Sequence, residues 1–232
     1  MKTNTHAQAR KGFTLVELLV VIAIIAALAG LATPVILKAQ KAAAITEATN
    51  NARQIGTLLV LFDQDWGTFP SSDTATSINE STGETVPSGN DSNSYLAQLI
   101  VGGYTDSEEI FFAKGGVEGG QKPDGVVTAG EVLDAKECGF AYVMLSGDEP
   151  LSTSYNGNLP VVCAPVDADD PSRFNPSPYD NKAVYLRLDS SVQQKRINNQ
   201  GEVVVGGGKK LFDTGSETAW DDLTPNVIAP KK

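Results

Sequence analysis

Residues 11–37 read KGFTLVELLVVIAIIAALAGLATPVIL, and between Phe13 and Leu37 the one charged side chain is Glu17. At about 1.5 Å of rise per residue this stretch reaches roughly 37 Å as a helix, enough to cross a hydrocarbon core of about 30 Å. Leu18 to Ala32 is apolar without interruption, so an ordinary overall hydrophobicity of 41% is unevenly spread and one segment is a different material from the rest. Lys2, Arg10 and Lys11 precede the segment, no acid stands among the first twelve residues, and the acidic bulk of the chain follows. Basic flanks stay on the cytoplasmic side, so the expected topology is a single pass with a cytoplasmic amino terminus and the body across the membrane.

Glu17 separates the readings of this segment. A secretory signal peptide accounts for the basic start, the apolar run and small residues such as Ala27 and Ala29, and a plain anchor helix accounts for the run alone. Neither has a use for a carboxylate, which costs about 2.5–3.5 kcal/mol near the centre of a bilayer. The run Lys11-Gly12-Phe13-Thr14-Leu15-Val16-Glu17-Leu18-Leu19 resembles, nearly residue for residue, the cleavage and methylation motif of type IV prepilins and type II secretion pseudopilins. The resemblance implies that residues 1–12 are a leader, that a prepilin peptidase cuts between Gly12 and Phe13, and that the new amine of Phe13 is methylated. It implies a role for Glu17 in assembly, binding the terminal amine of a neighbouring subunit. The implied partners are other copies of the chain, other pseudopilins and an inner-membrane assembly platform. A buried carboxylate and a buried ammonium are each unfavourable alone, and removing one partner of such a pair costs about 3–5 kcal/mol, so the pair sets axial register.

Residues 13–37 form the transmembrane half of the expected helix and residues 38–66 its amphipathic half. Proline removes one hydrogen bond and crowds the preceding turn, so Gly30 and Pro34 mark an expected kink or local melting. In the family a proline at the matching position lies where the helix loosens as a subunit leaves the membrane. Beyond it Ile45, Ala48, Ala52, Ile55, Leu59 and Phe62 recur at three- and four-residue steps, a stripe that predicts packing on a globular body. Asp65-Trp66-Gly67 closes the pattern, glycine being a common helix stop, and Gly67-Thr68-Phe69-Pro70 resembles the exit that pseudopilins often show. A single helix of about 54 residues and roughly 80 Å suits a filament subunit better than a small domain.

Residues 67–232 are expected to fold as one α+β, pilin-like domain with a small antiparallel sheet. Residues 71–94, rich in Ser, Thr, Asn and Gly, predict a long exposed loop; Ser94 to Val101 predicts a short helix, and 115–130 another loop. Three apolar runs, Gly139 to Leu145, Leu159 to Val166 and Ala183 to Leu188, have strand length, and Val192 to Ile197 and Glu202 to Val205 are expected edge strands.

Charge and composition exclude several functions. The chain holds 28 acidic and 18 basic residues; without the first twelve residues, three of them basic, the net charge would be −13. Such a body repels a phosphate backbone, so no nucleic-acid partner is expected. The one histidine, His6, precedes the apolar run, which removes Ser-His-Asp and Cys-His nucleophiles and histidine-based zinc sites from the body. Phe212-Asp213-Thr214-Gly215-Ser216 matches the aspartic-protease active-site pattern, but that chemistry needs two such loops sharing a proton. A turn is the expected role, and the chain is expected not to be an enzyme.

Cys138 and Cys163 form no CxxC pair; one disulfide in an exported body and two separate buried thiols both fit the spacing. Asp167, Asp169 and Asp170 offer oxygen ligands, and the resemblance brings a calcium site in a carboxyl-terminal loop, although the spacing is not that of an EF-hand and Pro171 follows at once. A solvated acidic loop is the alternative, and no other cofactor is expected. The functional expectation is therefore a structural subunit of a type II secretion pseudopilus or a type IV pilus-like filament. The alternative is a minor or tip subunit, or a surface-displayed binding protein, using the prepilin export route.

Overall fold

The structure is a computed structural model that describes residues 13–128, 131–167 and 169–232. Contacts divide the chain into two compact units, Met1–Gln40 and Lys41–Lys232. One helix, α1 (Leu15–Trp66), contributes to both. In the first unit every described residue from Phe13 to Gln40 is exposed. A helix apolar on all sides has no single face to bury against a body, so its partner is a surrounding medium or other helices.

In the second unit α1 buries one stripe. Ala44, Ala48, Ala52, Ile55, Leu59 and Phe62 are buried, and Asn50, Arg53, Gln54 and Thr57 are exposed. The glycine at position 56 lets the helix approach the sheet: a Cβ there would stand 2.9 Å from Leu186 Cδ1. The helix ends at Trp66 as its sequence requires, because Gly67 takes a left-handed φ of +76° and donates its N–H to the Asp63 carbonyl at 2.8 Å.

The body is α+β and pilin-like in architecture, with one five-stranded antiparallel sheet. Its strands are β1 (Ala141–Leu145), β2 (Pro160–Ala164), β3 (Lys182–Arg187), β4 (Val192–Arg196) and β5 (Pro225–Ile228), in the order β4-β3-β2-β1-β5. β1 and β2 are buried at every position, as continuous apolar runs demand of strands covered on both faces. Leu186 and Val162 are register partners, as are Val162 and Tyr142, so the three share the face that meets α1. On that face Tyr142 stacks on Tyr95 at 5.6 Å and donates its hydroxyl to the Pro70 carbonyl.

Three expectations change. The stretch 71–94 is not all loop, since α2 (Ser72–Thr82) occupies its first half. Ser71 and Thr74 close a reciprocal cap at its start, and Gly83 ends it in the left-handed region. With Ile78 its one buried hydrophobic side chain, α2 has little apolar periodicity to announce it. Glu202 to Val205 is not a strand of the sheet: Val203 and Val204 make isolated bridges to Ile197 and Lys210. The second edge is instead β5, whose interrupted apolar pattern, Pro225-Asn226-Val227-Ile228, gives no period of its own. The short helix expected at Ser94 to Val101 is a pair, α3 (Ser92–Leu96) and α4 (Gln98–Val101).

Candidate functional site

The start of α1 is built by three consecutive chemical choices. The first N–H groups of a helix have no intrahelical acceptor. Thr14 Oγ1 accepts the Glu17 N–H at 3.2 Å, and Glu17 Oε2 accepts both the Thr14 N–H at 2.8 Å and its hydroxyl at 2.7 Å. This is a capping box, and it gives Glu17 a local task that sequence reading overlooked although Thr14-x-x-Glu17 is the usual signature of one. The box uses one carboxylate oxygen; among the described residues Oε1 has no hydrogen-bond partner. Phe13, just before the box, is 75% exposed. Gly12 and the rest of residues 1–12, including the expected leader and the leader side of the cut, lie outside the described residues.

Further along, Pro34 lies inside α1, which runs through it without interruption. Its missing N–H is the one that would reach the carbonyl four residues earlier, that of Gly30. Gly30 and Pro34 are thus the two ends of a single deleted hydrogen bond. Thr33 Oγ1 donates to the Ala29 carbonyl at 2.7 Å one position earlier. The helix is weakened there by one bond, and in this conformation it is not melted.

Residues 8–33 match the family model of the prokaryotic N-terminal methylation motif, the hallmark of prepilins and pseudopilins. The chain carries a prepilin-type amino terminus. Glu17, its cap partner Thr14, Phe13 and Gly30 all fall within the matched residues, and Pro34 lies one residue beyond them. Comparisons with curated proteins and with solved structures give no match. The prepilin-type segment continues into a helix long and apolar enough to cross a membrane, which is consistent with membrane anchoring.

The remaining candidates lie in the body. Cys138 and Cys163 are free and buried, so the bridge weighed as one alternative is not formed in the structure. Cys163 points into the core from β2, and Cys138 makes weak contacts with Ser92 Oγ at 3.7 Å and the Phe140 carbonyl at 3.4 Å. Burial pushes the Cys138 thiol up to about 12 and raises that of Cys163 further, so neither is a nucleophile at neutral pH.

Asp167, Asp169 and Asp170 do not converge on one point. Asp169 pairs with Lys232 at 2.9 Å, Asp170 pairs with Arg173 at 3.0 Å, and Asp167 Oδ1 accepts the Asp169 N–H. Among the described residues the carboxylates that do meet are Glu108, Asp124 and Glu137, with one oxygen of each within 4.8 Å of the others. Glu108 and Glu137 are buried and accept four backbone N–H groups between them, from Gly125, Leu133, Asp124 and Asp134. They staple the two ends of the 124–134 segment. Burial raises the Glu108 carboxyl above its ordinary value against the lowering effect of the Leu133 N–H. No spacing rule links positions 108, 124 and 137, so this cluster had no signal in the sequence.

Asp213, in the protease-like pattern, accepts the Lys210 N–H at 2.8 Å, and Gly215 adopts φ +100° while its N–H meets the Asp221 carbonyl. Its carboxylate serves a turn.

Proposed function

We propose that this protein is a structural subunit of a type II secretion pseudopilus or a related type IV pilus-like filament, acting by polymerisation and not by catalysis. The observation that carries the reading is the methylation motif at residues 8–33 leading into a fully exposed apolar stretch of α1, Leu15 to Leu37, whose one charge, Glu17, stands at its start. A prepilin peptidase would cut between Gly12 and Phe13 and methylate Phe13. The mature terminus then places a cationic amine four residues from Glu17. Among the described residues the carboxylate has one oxygen engaged by Thr14 and one without a donor. In apolar surroundings an ammonium and a carboxylate are each costly alone, so the amine of one subunit and the Glu17 of the next supply each other's partner. Pairing of this kind fixes how far one helix slides along another.

The deleted bond between Gly30 and Pro34 supports a second part of the reading. A helix one hydrogen bond short at that point is the place to extend or loosen when the segment passes from lipid into a packed bundle of helices. The inner membrane, with the amino terminus cytoplasmic and the body periplasmic or in the filament, is the compartment that this route and the basic flank require.

Mass spectrometry of the mature amino terminus tests the proposal. N-methyl-phenylalanine at Phe13 is the expected result. A mature chain beginning near Gly30 returns the protein to ordinary secretion, and an uncut Gly12–Phe13 bond removes the amine on which the pairing depends.

A further inference from the structure

Charge is divided unevenly along the body. Between Arg53 and Lys114 stand nine acidic residues and no basic one, whereas Lys182 to Lys210 holds six basic residues and two acidic. Folding gathers the basic stretch further. Tyr185 is the register partner of Gln193, and Ala183 of Lys195, so Tyr185, Arg187, Gln193 and Lys195 share one face of β3 and β4. That face is turned away from α1, because the alternate residues meet the helix: Leu186 lies against Gly56, and Gln194 donates to Thr49 Oγ1 at 2.9 Å.

The chain from Val205 to Leu211 then returns over the free face. Trp220, fully buried, donates its indole N–H to the Leu211 carbonyl at 2.9 Å, and the Val205 N–H meets the Lys209 carbonyl at 2.8 Å. The result is a cavity of about 400 Å³ lined by Arg187, Lys195, Lys209 and Lys210, with Glu217 its one acidic wall residue. Lys210 is paired with Glu202 at 2.7 Å, and Arg187 lies 3.5 Å from Asp189. Lys195 and Lys209 have no ion pair among the described residues.

A surface of opposite sign stands on α2. Asp73 and Glu80 are two helical turns apart on one exposed face, and Glu84 follows just past the Gly83 cap. None of the three is in an ion pair among the described residues, and no described ion pair joins this surface to the cleft. One molecule therefore carries both halves of a charge match without closing it.

We propose that the basic cleft on the free face of β3 and β4 receives the acidic α2 surface of a second copy of this chain. The proposal rests on the filament reading and assigns it a contact between bodies, separate from the Glu17 pairing. Copies cut after Gly12, with a net charge of −13 from the remaining side chains, repel one another at long range. Two different patches of opposite sign make a head-to-tail contact that repeats from copy to copy, and they favour one orientation of approach over others.

The test uses the full-length chain assembled in cells, with polymer recovered at low ionic strength. Lys195→Glu combined with Lys209→Glu should lower recovered polymer about tenfold, and adding Asp73→Lys, Glu80→Lys and Glu84→Lys to the same chain should restore it. Restoration separates a lost contact from a misfolded body. Wild-type yield from the double variant overturns the proposal. So does a loss that the second set leaves unrestored. A wild-type chain that is cut and methylated at Phe13 yet yields no polymer overturns the filament reading, and this contact with it.

Discussion

The two halves of α1 obey the same backbone geometry and opposite rules of burial. From Leu15 to Gln40 every side chain is exposed although nearly all are apolar, whereas from Ala44 to Phe62 a stripe of small and apolar side chains is buried. In the second half the stripe is matched by the sheet: Gly56 admits Leu186, and Thr49 accepts from Gln194. In the first half nothing in the chain's own body is needed to explain helicity. An unbroken apolar run forms a helix because in a membrane every backbone polar group must be satisfied within the segment. One half is thus written for its own chain, the other for lipid and for other chains.

That contrast is broken most severely at Glu17. Glu17→Ala is expected to leave cutting at Gly12 and membrane insertion intact while abolishing recovered polymer, judged by the mass of the amino terminus alongside the yield of sheared filaments. Normal filaments from this variant would show that the first half packs by apolar contact alone. Next in size is Phe62→Ala, which empties a fully buried position and should destabilise the body by about 3–5 kcal/mol in denaturant unfolding of the detergent-solubilised chain. Ile25→Ala, in the exposed half, should change the same measurement by less than about 0.5 kcal/mol. Equal effects from the two would erase the distinction drawn between the halves. Well below the Phe62 effect is that of Thr14→Ala, which removes one side of the capping box at a cost of about 1 kcal/mol. It should appear as roughly fivefold faster amide hydrogen exchange in the first turn of α1, with exchange beyond Ala44 unchanged.

Much of this was legible in the residues, and unevenly so. The apolar run, its solitary carboxylate and the stop at Gly67 are local signals, and the structure places α1 between Leu15 and Trp66 accordingly. The stripe from Ile45 to Phe62 was legible because helical packing repeats at short intervals. The central strands were legible as buried apolar runs. In contrast α2 hid behind a Ser- and Thr-rich composition, because a helix with Ile78 as its one buried hydrophobic side chain depends on its caps more than on periodicity. The edge went to β5 instead of Glu202 to Val205 because strand pairing is decided by which segment reaches β1, and four residues pair there in register. At the functional segment the motif was plain, while the capping box between Thr14 and Glu17 lay in the same four residues and was overlooked.

By itself the sequence determined the membrane-length helix, the cut-and-methylate signature and the acidic character of the body, since each depends on neighbours in the chain or on composition. Tertiary structure alone decided that Glu108 and Glu137 meet to hold the two ends of the 124–134 segment, that Cys138 and Cys163 are both buried, and that Arg187, Lys195, Lys209 and Lys210 surround one cavity. The physical reason is the same in each case. Charges and thiols separated by many residues leave no periodic trace, and their encounter follows from strand register and loop closure.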